Sequence, residues 1–281
     1  MTTPPVLTDR AALARNRARA ARRGAELFLH REAAAEIEER LSEVNKRFTA
    51  PAVVSGFPAP WAEMLPDARV VPDDEVLALD PGAHDLVIHA LGLHWSNDPV
   101  GQLVQCRRAL CPDGLFLGVM FGGRTLNELR TALAEAESRL TGGLSPRVLP
   151  MAEIRDLGGL LQRAGLALPV ADAARTRVTY PSAFHLIADL RAMGEGNALF
   201  ARDRRIPPRG LFPEAARIYA ATFPAGKDRI TASFELIYLT GWAPHESQQK
   251  PLRPGSAAAR LADALGAAET PLRDTDTPGD H

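Results

Sequence analysis

Residues 85–121 read DLVIHALGLHWSNDPVGQLVQCRRALCPDGLFLGVMF, and the order of apolar runs in this stretch decides the fold. Asp85 to Ala90 is a short apolar run, the composition of a parallel strand covered on both faces. Val100 to Leu110 reads as a helix. Cys111-Pro112-Asp113-Gly114 closes it as a turn, with proline presetting φ and glycine accepting any φ. Leu115 to Phe121 is then a second, strongly apolar strand. Short apolar strands alternating with helices predict a doubly wound α/β sheet.

Working outward, residues 10–48 read as one or two helices with Leu27, Phe28, Ile37, Leu41 and Val44 on an apolar stripe. Pro51 ends them, and Ala52-Val53-Val54-Ser55-Gly56 is a short strand running into a turn. Pro60 to Leu65 starts a helix, with proline tolerated in its first turn. Arg69-Val70-Val71 is a further strand. Downstream, Arg124–Leu140 and Met151–Ala164 have helical spacing, the second stopped by Gly165. Thr176–Tyr180 is a strand, Ser182–Met193 and Pro213–Phe223 are inserted helices, and Ile230–Trp242 is the last strand, with Phe234, Leu236 and Tyr238 on one face. The organisation expected is an N-terminal helical segment (1–50), a Rossmann-like core (51–170), C-terminal strands with a helical insertion (171–255) and a flexible tail (256–281).

A chain of 281 residues, 46% hydrophobic, has ample material for one large core, and its net charge of −1 gives no pull toward nucleic acid. No run approaches the ~18–20 apolar residues of a membrane span. With Cys106 and Cys111 too few and wrongly spaced for a zinc knuckle or a disulfide framework, and no apolar signal region, the expected setting is cytoplasmic. Arg15, Arg17, Arg19, Arg22 and Arg23 make a basic helix whose plain reading is a solvated face; the other is docking of an acidic partner or peripheral contact with anionic lipid.

Several segments read together carry a resemblance: Val70-Val71-Pro72-Asp73-Asp74-Glu75, Leu93-His94-Trp95-Ser96-Asn97-Asp98, Phe121-Gly122-Gly123-Arg124-Thr125-Leu126, Met193-Gly194-Glu195 and Trp242-Ala243-Pro244-His245-Glu246-Ser247-Gln248. Over roughly residues 10–260 the chain resembles the methyltransferase-fold assembly factors of respiratory complex I, an arginine hydroxylase in mitochondria, with their bacterial counterparts. More loosely it resembles the malonyl-carrier-protein methyltransferase of biotin synthesis. The resemblance implies a class I, Rossmann-like fold, S-adenosylmethionine (SAM) as cofactor, and a protein or carrier-bound substrate. On matching positions it implies that Gly56, Asp73, Asp74 and His94 line the cofactor pocket, Asp73 on the adenine side. It assigns no catalytic residue, and no metal site is expected.

The residues depart from that pattern. A glycine-rich turn after the first strand should bring backbone N–H groups to the ligand. Here the stretch is Val54-Ser55-Gly56-Phe57-Pro58-Ala59-Pro60, with valine in place of the acid and two prolines that donate no N–H. Only 28 residues, 57 through 84, separate the first strand from the Asp85 strand, where two strands and three crossovers need about 40. One βα unit is therefore expected to be missing, the second strand with its helix, and with it the acid that grips a ribose. Two readings stay open: a SAM-dependent methyltransferase-like enzyme, and a partner-binding assembly protein that keeps the fold without the cofactor. Hydroxylation is a third that only the resemblance supports.

Other candidates carry plainer readings. His84, His89 and His94 recur every five residues, matching neither a helix face nor a strand face, so a metal site is not indicated. Gly122-Gly123 fits a strand-to-helix turn as well as a ligand approach. Glu195 and Asn197 fall where the resemblance places a substrate pocket, although a surface turn is the commoner reading of Met-Gly-Glu-Gly-Asn, and His245, Glu246 and Ser247 form a small polar cluster after the last strand. No Walker loop, CxxC pair or Ser-His-Asp spacing supports nucleotide hydrolysis, redox or acyl-hydrolase chemistry.

Overall fold

A computed structural model describes residues 6–248. The described residues up to His245 form one compact unit and those from Glu246 belong to another; the tail expected over 256–281 lies outside the described residues.

The elements run α1 (Arg10–Arg22), α2 (Phe28–Glu43), β1 (Pro51–Ser55), α3 (Ala59–Met64), β2 (Arg69–Val71), β3 (His84–Ala90), a 3-10 turn (Leu93–Trp95), α4 (Pro99–Ala109) and β4 (Leu110–Phe121). Then follow α5 (Asn127–Thr141), α6 (Ile154–Arg163), β5 (Ala167–Tyr180), α7 (Ala183–Ala192), α8 (Leu211–Thr222) and β6 (Ile230–Trp242). Local chemistry sets many of the ends. The Asp9 carboxylate accepts from Ala12 N at 3.0 Å to cap α1, and Asp98 accepts from Gly101 N at 2.7 Å to cap α4, which then opens on Pro99. Gly142 and Gly165, both at positive φ, follow α5 and α6.

The six strands form one sheet in the order β2-β1-β3-β4-β6-β5. β2, β1, β3 and β4 are parallel, and β6 runs against both β4 and β5. Successive side chains of each strand point to opposite faces. Val53, Leu86, Ile88, Leu117 and Val119 pack with α2, α5, α7 and α8 on one side, while Ala52, Val54, Val87, Phe116 and Met120 pack with α4 and α6 on the other. Burying each such aliphatic or aromatic side chain stabilises by about 1.5–3 kcal/mol, which makes this double cover the main source of the fold's stability. The doubly wound sheet and the insertion of α7 and α8 before the last strand are as the sequence predicts.

The short crossover is also real. Between β1 and β3 the chain makes only the six-residue α3 and the three-residue β2, and β2 pairs directly with β1 through Ala52↔Arg69, Val53↔Val70 and Val54↔Val71. The strand that remains takes the place beside β1, and Asp73 follows it. Two local expectations change. Residues 111–114, read as a turn, belong to the irregular start of β4, where Asp113 has φ +60° and the register with β3 shifts. The strand read as Thr176–Tyr180 begins at Ala167, because pairing with β6 extends it across a stretch that has no apolar alternation of its own.

Candidate functional site

From β1 the chain passes to β2 on one side of the sheet, while β3 lies on the other. The carboxyl ends of β1 and β3 therefore flank a switch of direction, where open α/β sheets form their ligand crevice. Gly56 leaves β1 there, and Gly92 and the Leu93–Trp95 turn leave β3. A Cβ on Gly92 would lie 2.7 Å from Asp73 Oδ2 and 3.1 Å from His89 Cε1, so the close approach of these chains requires glycine.

The crevice is filled from within by α1. Positions 10, 13, 17 and 20 share one face of this helix. Leu13 and Ala20 are 1% exposed, and Arg17 between them turns inward with its side chain 11% exposed. Arg17 Nη1 donates to Asp73 Oδ1 at 2.6 Å, and a Cβ on Gly56 would run into the guanidinium. Arg10 donates to the Asp73 backbone carbonyl and stands 3.7 Å from its carboxylate. Asp73 is 3% exposed, whereas the Asp74 side chain turns outward and is 70% exposed. Asp73 Oδ2, Arg17 Nε and His89 Nδ1 are buried without a hydrogen-bond partner among the described residues.

Around this ion pair sit groups that burial and charge have tuned. His89 Nε2 lies 2.7 Å from Gln102 Oε1, so that nitrogen carries the proton, and burial pulls the ring's pKa down to about 4. His30 Nδ1 accepts the Trp61 indole N–H at 3.2 Å, and burial lowers it likewise to about 4. Glu195 stands between α7 and α8. Burial alone would raise its pKa, but His94, the Arg17 charge and the Trp95 N–H outweigh that and hold the carboxyl below the ordinary range. Trp95 Nε1 donates to Glu195 Oε2 at 2.7 Å, and His94 Nε2 is 3.5 Å from the same oxygen. His84, at the far end of β3, meets Ala50 O at 3.1 Å, away from His89 and His94 at the crevice.

Beside Glu195 lies a cavity of about 190 Å³, walled by Trp95, Phe121, Leu129, Leu133, Ile187 and Phe234. Arg147 and Asn197 stand at its polar margin, Arg147 held by Glu137 at 2.5 Å and Asn197 donating to Pro146 O at 2.9 Å. Gly122 and Gly123 do not face open space. Added Cβ atoms there would meet Ile237 Cδ1 at 2.6 Å and the Glu153 carboxylate. Their strand-to-helix reading therefore accounts for them. His245 ends the first unit, and Glu246 and Ser247 belong to the second.

Of the residues the resemblance singles out, Gly56 and Asp73 meet through Arg17, and His94 adjoins them through Glu195; Asp74 is turned to solvent at the rim, its carboxylate 3.9 Å from Arg10. The sequence reading left out Arg10, Arg17 and Gly92 as site residues. The signal for the arginines was the 10-13-17-20 spacing, which puts them on the buried face of an otherwise solvated basic helix carrying exposed Arg15, Arg19, Arg22 and Arg23.

No protein-family model matches the chain. Over 199 residues it is 38% identical to "Arginine-hydroxylase NDUFAF5, mitochondrial" of Danio rerio, covering 71% of this chain and 62% of that one. Over 188 residues it is 32% identical to a malonyl-[acyl-carrier protein] O-methyltransferase of Laribacter hongkongensis, covering 67% of this chain and 61% of that one. The chain thus spans less than two thirds of the length of these curated relatives. A SAM-dependent methyltransferase structure from Thermotoga maritima aligns over 83% of this chain and 99% of its own, with 11% identity and a TM-score of 0.42. No helix among the described residues is long and apolar enough to cross a membrane. Sheet, crevice and sequence similarity together make this chain a class I methyltransferase-fold protein that resembles the arginine hydroxylase NDUFAF5 and, at lower identity, the malonyl-[acyl-carrier protein] O-methyltransferases.

Proposed function

We propose that this chain is a methyltransferase-like protein that acts on a protein partner in the assembly of respiratory complex I, and that it receives one group of that partner in the cavity beside Glu195. The cavity is the observation that carries the reading. At about 190 Å³ it is larger than the roughly 150 Å³ apolar cavity known to admit benzene, which is the scale of one side chain. Its walls are apolar and aromatic, and one margin holds the Glu195 carboxylate, kept ionised and aimed by Trp95. A few fixed polar groups at the edge of an apolar pocket give orientation as well as affinity. One relative is named for a group on a carrier protein as substrate and the other for an arginine, and an arginine carried on a protein partner fits both. This reading does not depend on the crevice between β1 and β3.

Cells that make complex I but lack this chain should accumulate less of the assembled complex on native gels. Wild-type protein should restore it. Ile187→Trp, which fills the cavity from α7, should not restore it while melting cooperatively like wild type. Full assembly without the chain, or full rescue by the filled variant, would contradict the proposal.

A further inference from the structure

The crevice at the switch point has the position of a cofactor site and already holds an ion pair, Arg17 Nη1 on Asp73 Oδ1. We propose that it is a cation site whose resident occupant is Arg17, so that the chain's own guanidinium stands where the fold would otherwise admit SAM.

Three independent features converge on this. The first is space. Gly56 is the residue of the β1 turn that a ligand would approach, and the Arg17 guanidinium already lies against it. The second is charge. Asp73 is the buried carboxylate of the crevice, and Arg17 binds it at 2.6 Å while Arg10 takes its backbone carbonyl. A sulfonium brought to the same place would meet a fixed positive charge in a poorly screened interior. The third is the loop itself. Pro58 and Pro60 lack the N–H groups that a phosphate- or carboxylate-cradling turn supplies, and they start α3, where a missing N–H is harmless. Val54, where the resemblance calls for an acid, is fully buried in the core.

Arg17 does not reach this place by a chance rotamer. Its helix is anchored at its start and along its buried face. Asp9 caps it and pairs with Arg202 at 2.8 Å, and Asn16 Nδ2 donates to Gly196 O at 3.0 Å. The backbone at Arg17 packs on Gly194, where an added Cβ would come 3.2 Å from Arg17 Cα and 2.9 Å from Phe57 Cζ. The glycines of Met193-Gly194-Glu195-Gly196 thereby let α1 lie close enough for its arginine to thread between β1 and β3. This arrangement excludes the cofactor by filling its place, and it makes Arg17 an internal counterpart of a bound ligand.

The test uses the full-length protein. Equilibrium dialysis of wild type against radiolabelled SAM at millimolar concentration should show no saturable binding, and neither SAM nor guanidinium chloride should raise its melting temperature. Arg17→Ala leaves Asp73 buried without its cation and should melt about 10 °C lower. Millimolar guanidinium chloride, against an equal concentration of sodium chloride, should restore about 5 °C of that loss at saturation. Arg17→Lys keeps the charge but not the planar fork and should fall between the two, without guanidinium rescue. Saturable SAM binding by wild type would overturn the proposal, and that result does not involve any variant. So would guanidinium protecting Arg17→Ala no more than it protects wild type.

Discussion

Acidification from pH 7 toward pH 4.5 should destabilise this protein, because two imidazoles are buried uncharged. His30 and His89 each fall from the ordinary 6.5 to about 4, in both cases chiefly through burial. His30 faces Glu195, Arg17, His94 and Asp73; His89 faces Gln102, Asp73, His94 and Arg17. A histidine depressed in the folded state binds its proton more readily when unfolded. Its contribution is therefore fully present above pH 6.5 and is lost as pH falls through 6.5 toward 4. At 1.36 kcal/mol per pH unit, each ring accounts for about 3 kcal/mol across that window. Two such rings are a large share of the 5–15 kcal/mol that a domain usually has. The assay is urea unfolding followed by tryptophan fluorescence at half-unit steps from pH 7.5 to 4.5, with Trp61 and Trp95 as buried reporters. Stability should fall by about 2–3 kcal/mol per pH unit near pH 5.5, and His89→Asn should roughly halve that slope. A free energy that stays flat between pH 6.5 and 5, or a variant with an unchanged slope, would refute the burial argument.

Two further predictions follow from packing. Gly194→Ala places a methyl group at φ +78° against Phe57 and the α1 backbone, and should cost about 1–3 kcal/mol, read as a lower urea midpoint with an unchanged m-value. Arg40 bonds both oxygens of Asp172 at 2.7 Å and stacks 4.3 Å over Tyr238; being only partly exposed, it should lose about 1–2 kcal/mol on change to Ala, more than an ordinary surface pair, measured by thermal melts.

The fold was legible where side chains face a core and obscure where only pairing holds the chain. β3 and the apolar half of β4 announce themselves because both of their faces are covered. β6 is legible from the alternation of Phe234, Leu236 and Tyr238, which the structure places in one cluster. The first half of β5, Ala167–Arg175, carries no such pattern. Val170 is 55% exposed, and the segment is a strand because β6 pairs along it. The shortened crossover was legible by arithmetic alone, since chain length limits how many strands can cross. Which place the remaining strand would take was not, because β2 has only three residues with which to choose its neighbour. The site was half legible. Gly56, Asp73 and His94 were singled out by the family resemblance, and the structure brings them to one crevice. Arg17 was hidden among arginines that are mostly solvated, because a charge run describes a surface on average and says nothing of the one member that turns inward. Glu195 was read as either a surface turn or a pocket residue, and what decides between them, its hydrogen bond to Trp95 and its approach to His94, joins segments about a hundred residues apart in sequence.

The filled crevice requires Arg17 to lie against Asp73, and a double-mutant cycle measures that contact directly. Arg17→Met, Asp73→Asn and the double variant would be compared by urea unfolding at pH 7. A buried pair at 2.6 Å should show a coupling of at least about 2 kcal/mol, with the double variant far less impaired than the two single losses together imply. Additivity within about 0.5 kcal/mol would mean that the two side chains do not meet, and the filled crevice would have to be given up.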